Sequence, residues 1–273
     1  MSEPSTAAWP ALPLQAWRDT CAGLHMALQI VGKTRLALSP VENHWWHVPM
    51  YLSPRGLRTS PMPCPRGSFE VAFDFIDHVV AVERSDGVSR RFALASRSVA
   101  SFFDEYVATL ASLDVRCAIR ASPVEVVTAI PFAEDRRIRP YDADAVHRCW
   151  RILLATDQVM KRFRGRFLGK QSPSHFFWGS FDLAATRFSG RVAPPHPGGV
   201  PNCPDYVMVE AYSHECSSCG FWPGGGAIDA PAFYAYTYPQ PPGYAATVVG
   251  PEAAYYDEQA GEFILPYEAV RLA

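Results

Sequence analysis

One pattern occurs twice in this chain and limits its fold more than any other feature. A long amphipathic helix leads to a Gly-Lys pair, then to Ser-Pro, then to an aromatic run that reads as β. In the first occurrence Leu14, Trp17, Cys21, Leu24, Leu28 and Val31 recur at spacings of three and four, so one stripe of a helix over 14–31 faces a core. Gly32 follows and reads as the helix stop. In the second, Val146, Cys149, Trp150, Leu153, Met160, Phe163 and Phe167 form the stripe of a helix over 142–167. Ser39-Pro40 matches Ser172-Pro173, and His44-Trp45-Trp46-His47 with Leu52 matches His175-Phe176-Phe177-Trp178 with Leu183 at identical spacing. Phe92-Ala93-Leu94 with Val99 echoes Phe263-Ile264-Leu265 with Val270. Superposing Trp17 on Trp150 puts Asp157 on Leu24 and Lys161 on Leu28, so the two helices cannot share that register.

The expected fold is α+β: two similar units of antiparallel sheet flanked by helices, related by internal duplication and packed around a shared cleft. Residues 1–121 form the first unit, 122–140 a linker with three prolines and a charge cluster, and 141–273 the second unit, which lacks its closing helix. Strand readings support this. Residues 44–52 alternate, with His44, Trp46, Val48, Met50 and Leu52 on one face and Trp45, His47 and Tyr51 on the other. Residues 69–75 point Phe69, Val71, Phe73 and Phe75 inward, and Asp86-Gly87 marks a hairpin turn between 78–84 and 89–94. Along 175–183 one face carries Phe177, Phe181 and Leu183, the other Phe176, Trp178, Ser180 and Asp182. Tyr234 and Tyr236 share a strand face, and a hairpin spans 254–265.

Composition excludes several classes. At 48% hydrophobic, 19% charged and net charge -2, the chain is neither a disordered polymer nor a basic nucleic-acid binder. No apolar run approaches the ~18 residues of a membrane span. Met1 to Leu14 lacks a basic region followed by an apolar one, so no signal peptide is expected. Seven cysteines, an odd number, then read as reduced thiols of a cytoplasmic protein. The 25 prolines gather in the linker and in loops from 194 to 242.

The motifs Gly32-Lys33, Asn43-His44-Trp45-Trp46-His47-Val48-Pro49, Phe73-Asp74-Phe75-Ile76-Asp77-His78, His175-Phe176-Phe177-Trp178-Gly179-Ser180-Phe181-Asp182-Leu183, Arg187-Phe188-Ser189-Gly190-Arg191 and Tyr212-Ser213-His214-Glu215 through Gly220-Phe221-Trp222-Pro223-Gly224 resemble the domain of unknown function 5996 family, from about Trp9 to Leu272. The resemblance implies no activity, cofactor or partner. In that family's pattern the positions of Cys216 and Cys219 are ordinarily apolar or small, and members continue past this C-terminus with a helix.

Three chemistries are in view. His214 and Glu215 form an acid/base pair beside the glycine-rich loop Pro223–Pro231, with Asp182 and His175 as orienting groups. Trp45, His47, Trp178, Trp222, Tyr234 and Tyr236 supply pocket walls, and Lys170 and Arg187 bind an anionic end. This describes an enzyme acting on a small organic molecule by acid/base chemistry. With no phosphate-loop or dinucleotide-binding glycine pattern, no nucleotide cofactor is expected. The alternatives are a non-catalytic small-molecule-binding protein with the same pocket, and a zinc protein using His214, Cys216 and Cys219. Neither nucleic acid nor membrane is an expected partner. A homodimer is a further way to cover the aromatic face. Asp157 interrupts an apolar stripe and needs a partner, for which Lys170, Arg187 or a histidine are candidates. Lys33 and Lys170 suit a helix dipole, or bind an anion as a matched pair.

Overall fold

The computed structural model describes residues 9–226 and 228–273. Most of Met1–Leu14, read above for a signal peptide, and Ala227 of the glycine-rich loop lie outside the described residues. The fold is α+β. Helix α1 (Leu14–Leu38) precedes six strands: β1 (Tyr51–Ser53), β2 (Gly56–Arg58), β3 (Met62–Cys64), β4 (Gly67–Asp74), β5 (Val79–Arg84) and β6 (Ser89–Ala93). Helices α2 (Val99–Ser112) and α3 (Ala143–Arg164) follow. Then come β7 (His175–Phe177), β8 (Asp182–Val192), α4 (Asp205–Ala211), β9 (His214–Trp222), β10 (Ala232–Tyr238), β11 (Tyr255–Asp257), β12 (Glu262–Pro266) and α5 (Tyr267–Leu272).

The strands make two antiparallel sheets of six. One runs β1-β2-β4-β5-β6 with β3 paired to β4; the other runs β11-β12-β10-β9-β8-β7. Met50 and Phe176 exchange two backbone hydrogen bonds of 2.9 Å, joining the sheets edge to edge. One hydrophobic core gathers α1, α2 and α3, the inner faces of both sheets, and Phe132 from the stretch 122–140.

Local chemistry sets the element ends. Ser98 and Asp142 cap α2 and α3 by accepting from the amides of Ser101 and Ala145. Lys161, Arg162 and Arg164 occupy the last turn of α3, where cations suit the dipole. Asp74 Oδ1 accepts from the amides of Ile76 and Asp77 at 2.9 Å, which closes the turn into β5. The hairpin at Asp86-Gly87 forms as expected.

Four local expectations fail. Gly32 does not stop α1, which runs on to Leu38. It serves close packing instead, because a Cβ there would collide with the indole of Trp178. Residues 44–49 are not a strand. A single 3-10 turn, Asn43–Trp45, holds His44 and Trp45 at φ 58° and 60°. α4 imposes that turn: the Trp45 indole donates to Val207 O at 2.9 Å, and the His44 amide donates to Glu210 Oε1 at 3.2 Å. Residues 178–181 form a turn with Phe181 at φ 61°, so the expected alternation across 175–183 breaks. Phe177 therefore pairs with Asp182 on the same face of the sheet. Finally, Asp157 takes Lys161 as its partner at 2.6 Å, one turn along α3.

Candidate functional site

The second sheet has two unlike faces. Leu183, Ala185 and Phe221 enter the core. Asp182, Ala184, Thr186 and Phe188 of β8 point the other way, beside Cys216 and Ser218 of β9 and Tyr234 and Tyr236 of β10. This second face floors a cavity of about 370 Å³. Its roof comes from α4 and the turn at 43–46, through Tyr206, Val207, Met208, Trp45 and Trp46. One side is α1, through Lys33 and Leu36; another is the stretch holding Arg120, Val124 and Glu125. A volume of this size with aromatic walls and few polar groups suits a small organic ligand.

Asp182 is the acid of the floor, 7% exposed, and it accepts from Ser180 Oγ and Tyr234 Oη. Tyr234 reaches it from β10 because Gly220 lies between them on β9, where a Cβ would strike the tyrosine hydroxyl. Burial pushes the Asp182 carboxyl above its ordinary pKa, although both hydroxyl donors pull the other way. Tyr212 and Tyr236 share a hydroxyl–hydroxyl bond of 2.7 Å farther along the floor.

Glu125 is an exposed residue at the cavity's edge, and a buried glutamine holds the backbone beside it. Gln29 of α1 is fully buried and clamps Val124 in both directions: its Nε2 donates to Val124 O, and its Oε1 accepts from Val124 N, each at 2.8 Å. The next residue, Glu125, donates its amide to Pro201 O at 2.8 Å and sits at φ 58°. Its carboxyl lies against Gly179, where a Cβ would collide with Oε1. His25 Nε2 donates to Trp178 O and Gly179 O at 3.0 and 2.9 Å and secures that turn. Desolvation first, then repulsion from Asp182, pushes Glu125 up to about 7, against the pull of Lys33. Among the described residues no hydrogen bond reaches its carboxyl.

Lys33 is 4% exposed. Its Nζ lies 5.8 Å from the Trp178 ring centroid, and among the described residues it forms no ion pair. Burial first, then the charge of Arg120, brings it down to about 8, opposed by Cys203 and Glu125. The cavity thus gathers a lysine whose pKa is lowered and two carboxyls whose pKa values are raised.

Of the residues singled out above, Lys33, Trp45, Trp178, Asp182, Cys216, Tyr234 and Tyr236 line this cavity. The others lie elsewhere. His214 stands beside a lining residue, its ring 5.7 Å from that of His44. Glu215 faces solvent, bound by Arg191 at 2.6 Å and Ser189 at 2.8 Å, which holds it below its ordinary pKa. His175 is buried among Trp46, Tyr51 and Phe177, and burial pushes it down to about 3. His47 is buried with Nδ1 accepting from the Glu42 amide. Lys170 covers the rings of Trp46 and Phe188 at 5.2 and 5.1 Å. Arg187 stacks on Phe163 and Phe167 on the opposite side of the sheet. Trp222 ends β9, beyond the floor residues.

Strand alternation separates the cysteines of the zinc reading: Cys216 faces the cavity, while Cys219 points its thiol toward Ala185 O at 3.9 Å. Among the described residues no three His, Cys, Asp or Glu side chains gather as a ligand set. Burial pushes the Cys216 thiol up to about 11, so it is no thiolate nucleophile at neutral pH.

Sequence reasoning missed Glu125, in the stretch read as a linker, and Arg120, at the end of the first unit. One signal for them exists: Gln29, a polar residue on the buried side of α1, whose amide fixes Val124. No helix among the described residues is long and apolar enough to cross a membrane. The chain matches the family of unknown function DUF5996 over residues 9–273 and belongs to it. No curated protein and no solved structure matches it.

Proposed function

We propose that this DUF5996 chain is a cytoplasmic enzyme that acts on a small organic molecule by acid/base chemistry, with Lys33 and Glu125 as its proton-transfer groups and no nucleotide cofactor. One observation carries the reading: Lys33 and Glu125 are shifted in opposite directions, to about 8 and about 7, on the walls of one aromatic cavity. Groups poised near neutrality in a cleft are what proton transfer requires. A purely structural lysine and glutamate this close to one charge balance would bond each other. Here neither side chain makes a hydrogen bond or ion pair among the described residues. Asp182 serves a different role, since its two hydroxyl donors fix it as an orienting acceptor in the floor. Trp45, Trp178, Tyr234 and Tyr236 sandwich the ligand body, and Arg120 beside Lys33 favours a ligand with an anionic group.

The test is a ligand-observed NMR screen of small organic acids and neutral aromatics against wild type, Lys33→Met and Asp182→Asn. The expected result is a set of anionic binders lost in Lys33→Met. Binders indifferent to both substitutions would show that the cavity is not the site. A second reading, a binding protein without turnover, is favoured by the fully satisfied Asp182. It predicts that Glu125→Gln leaves both binding and any conversion of bound ligand unchanged.

A further inference from the structure

Lysine is scarce in this chain. Of 25 lysine and arginine residues only Lys33, Lys161 and Lys170 are lysine. Lys161 is spent on Asp157, and Lys170 lies over two aromatic rings. Lys33 alone of the three lines the cavity. Its place on α1 is tightly fixed, because the preceding Gly32 abuts Trp178, whose indole donates to Val48 O at 2.9 Å. An arginine there would stay charged and unreactive, whereas a lysine can become a neutral amine. Burial and the neighbouring Arg120 both favour that neutral form. A desolvated lysine beside a second cation is the arrangement that turns an amine into a nucleophile.

We propose that Lys33 is a covalent nucleophile that captures an aldehyde or ketone, so that the cavity's substrate is a small carbonyl compound with a planar or aromatic body. The inference rests on the acid/base reading above and names its substrate class. The neutral Nζ adds its lone pair to the carbonyl carbon and forms a C–N bond. The carbonyl π pair moves to oxygen, which takes a proton from the Glu125 carboxyl. The nitrogen returns a proton to Glu125. The hydroxyl then leaves as water, taking up that proton, as the nitrogen lone pair forms C=N, and the remaining N–H proton passes to Glu125, which ends as it began. Amine plus carbonyl gives imine plus water, with no oxidant or reductant. Glu125 suits this shuttle because it both holds and releases a proton near neutrality.

Borohydride trapping tests the step. The full chain is incubated with benzaldehyde or with pyruvate, reduced with sodium cyanoborohydride, digested and mapped by mass spectrometry. The three lysines fall on separate peptides, so the label can be assigned. The expected result is at least roughly tenfold more label on Lys33 than on Lys161 or Lys170, with a rate that climbs as pH rises through about 8 and falls in Glu125→Gln. Lys33→Arg, checked for native circular dichroism, should lose that label. Label spread evenly over the three lysines, or none on Lys33 with either probe, overturns the proposal. If the probes bind the cavity without labelling Lys33, the imine step is wrong while the acid/base reading stands. An absence of cavity ligands in the NMR screen is the separate result that removes both.

Discussion

Gly32 and Trp178 touch so closely that the helix backbone and the indole leave no room for a methyl group between them. The ring cannot swing away easily, since its Nε1 is anchored to Val48 O. Two effects oppose each other in Gly32→Ala. Alanine gains about 1 kcal/mol of helix propensity over glycine. Overpacking a fixed ring costs about 1–3 kcal/mol. Overpacking should win, giving a net loss measurable by urea denaturation and a weaker cavity ligand affinity, because Trp178 is a wall. A stabilised Gly32→Ala would show that the ring yields.

Tyr234 and Asp182 make the second test. Tyr234→Phe removes one of two donors from a buried carboxylate and leaves the tyrosine's own volume in place. The expected cost is about 1–3 kcal/mol at neutral pH, from a partly unsatisfied buried acid. Asp182 should also move further above its ordinary pKa. Asp182→Asn combined with Tyr234→Phe should cost less than the two losses added, with a coupling of about 0.5–3 kcal/mol in a double-mutant cycle. Strict additivity would mean that the pair does not interact.

The legible part of this molecule is the part governed by period. Helical stripes and the alternation of Phe69, Val71, Phe73 and Phe75 placed the start of α1, and α3 and β4, near their observed bounds. The Gly32 stop failed because local propensity cannot see Trp178, which is far away in sequence. The strand at 44–52 failed because α4, itself unread, pulls His44 and Trp45 into left-handed turns. The aromatic walls Trp45, Trp178, Tyr234 and Tyr236 were visible as clustered aromatics near glycines. Glu125 was not, because its role depends on a glutamine clamp and a close glycine that no spacing rule encodes. Of the contiguous pair His214-Glu215, His214 stands beside the lining residue His44 and Glu215 turns to Arg191, so neither lines the cavity.

Lys33 should be costly to the fold. Its pKa falls on folding, so the folded state holds the proton less well than the unfolded chain. For a base with a lowered pKa, stability is reduced at neutral pH and recovers as pH rises from about 8 toward the ordinary lysine value. Lys33→Met removes the buried charge and keeps most of the volume. After allowance for solvent reaching the cavity, it should stabilise the protein at neutral pH by about 1–2 kcal/mol. Urea midpoints at neutral and alkaline pH check this: the gain should shrink as pH rises. Loss of stability in Lys33→Met would assign the lysine a structural role.

Glu125 gives the opposite slope. Its folded pKa is raised to about 7 from an ordinary 4.5, so its contribution to stability is fully present below about 4.5 and is lost as pH rises through about 7. Glu262 is pushed to about 7 as well, by burial and then by Asp182 and Asp257, and acts in the same window. His25 and His175 act against both. Burial lowers them to about 4 and about 3, so they weaken the fold as pH falls below their ordinary value of 6.5. Total stability against pH therefore mixes opposing terms, and only a difference isolates Glu125. The stability of wild type minus that of Glu125→Gln should decline steadily between about pH 4.5 and about pH 7, then level off. Adding Glu262→Gln to both proteins should leave that decline in place. A difference that stays flat across the window would mean that Glu125 ionises as freely in the cavity as in water, and the poised acid on which the proton-transfer reading depends would be gone.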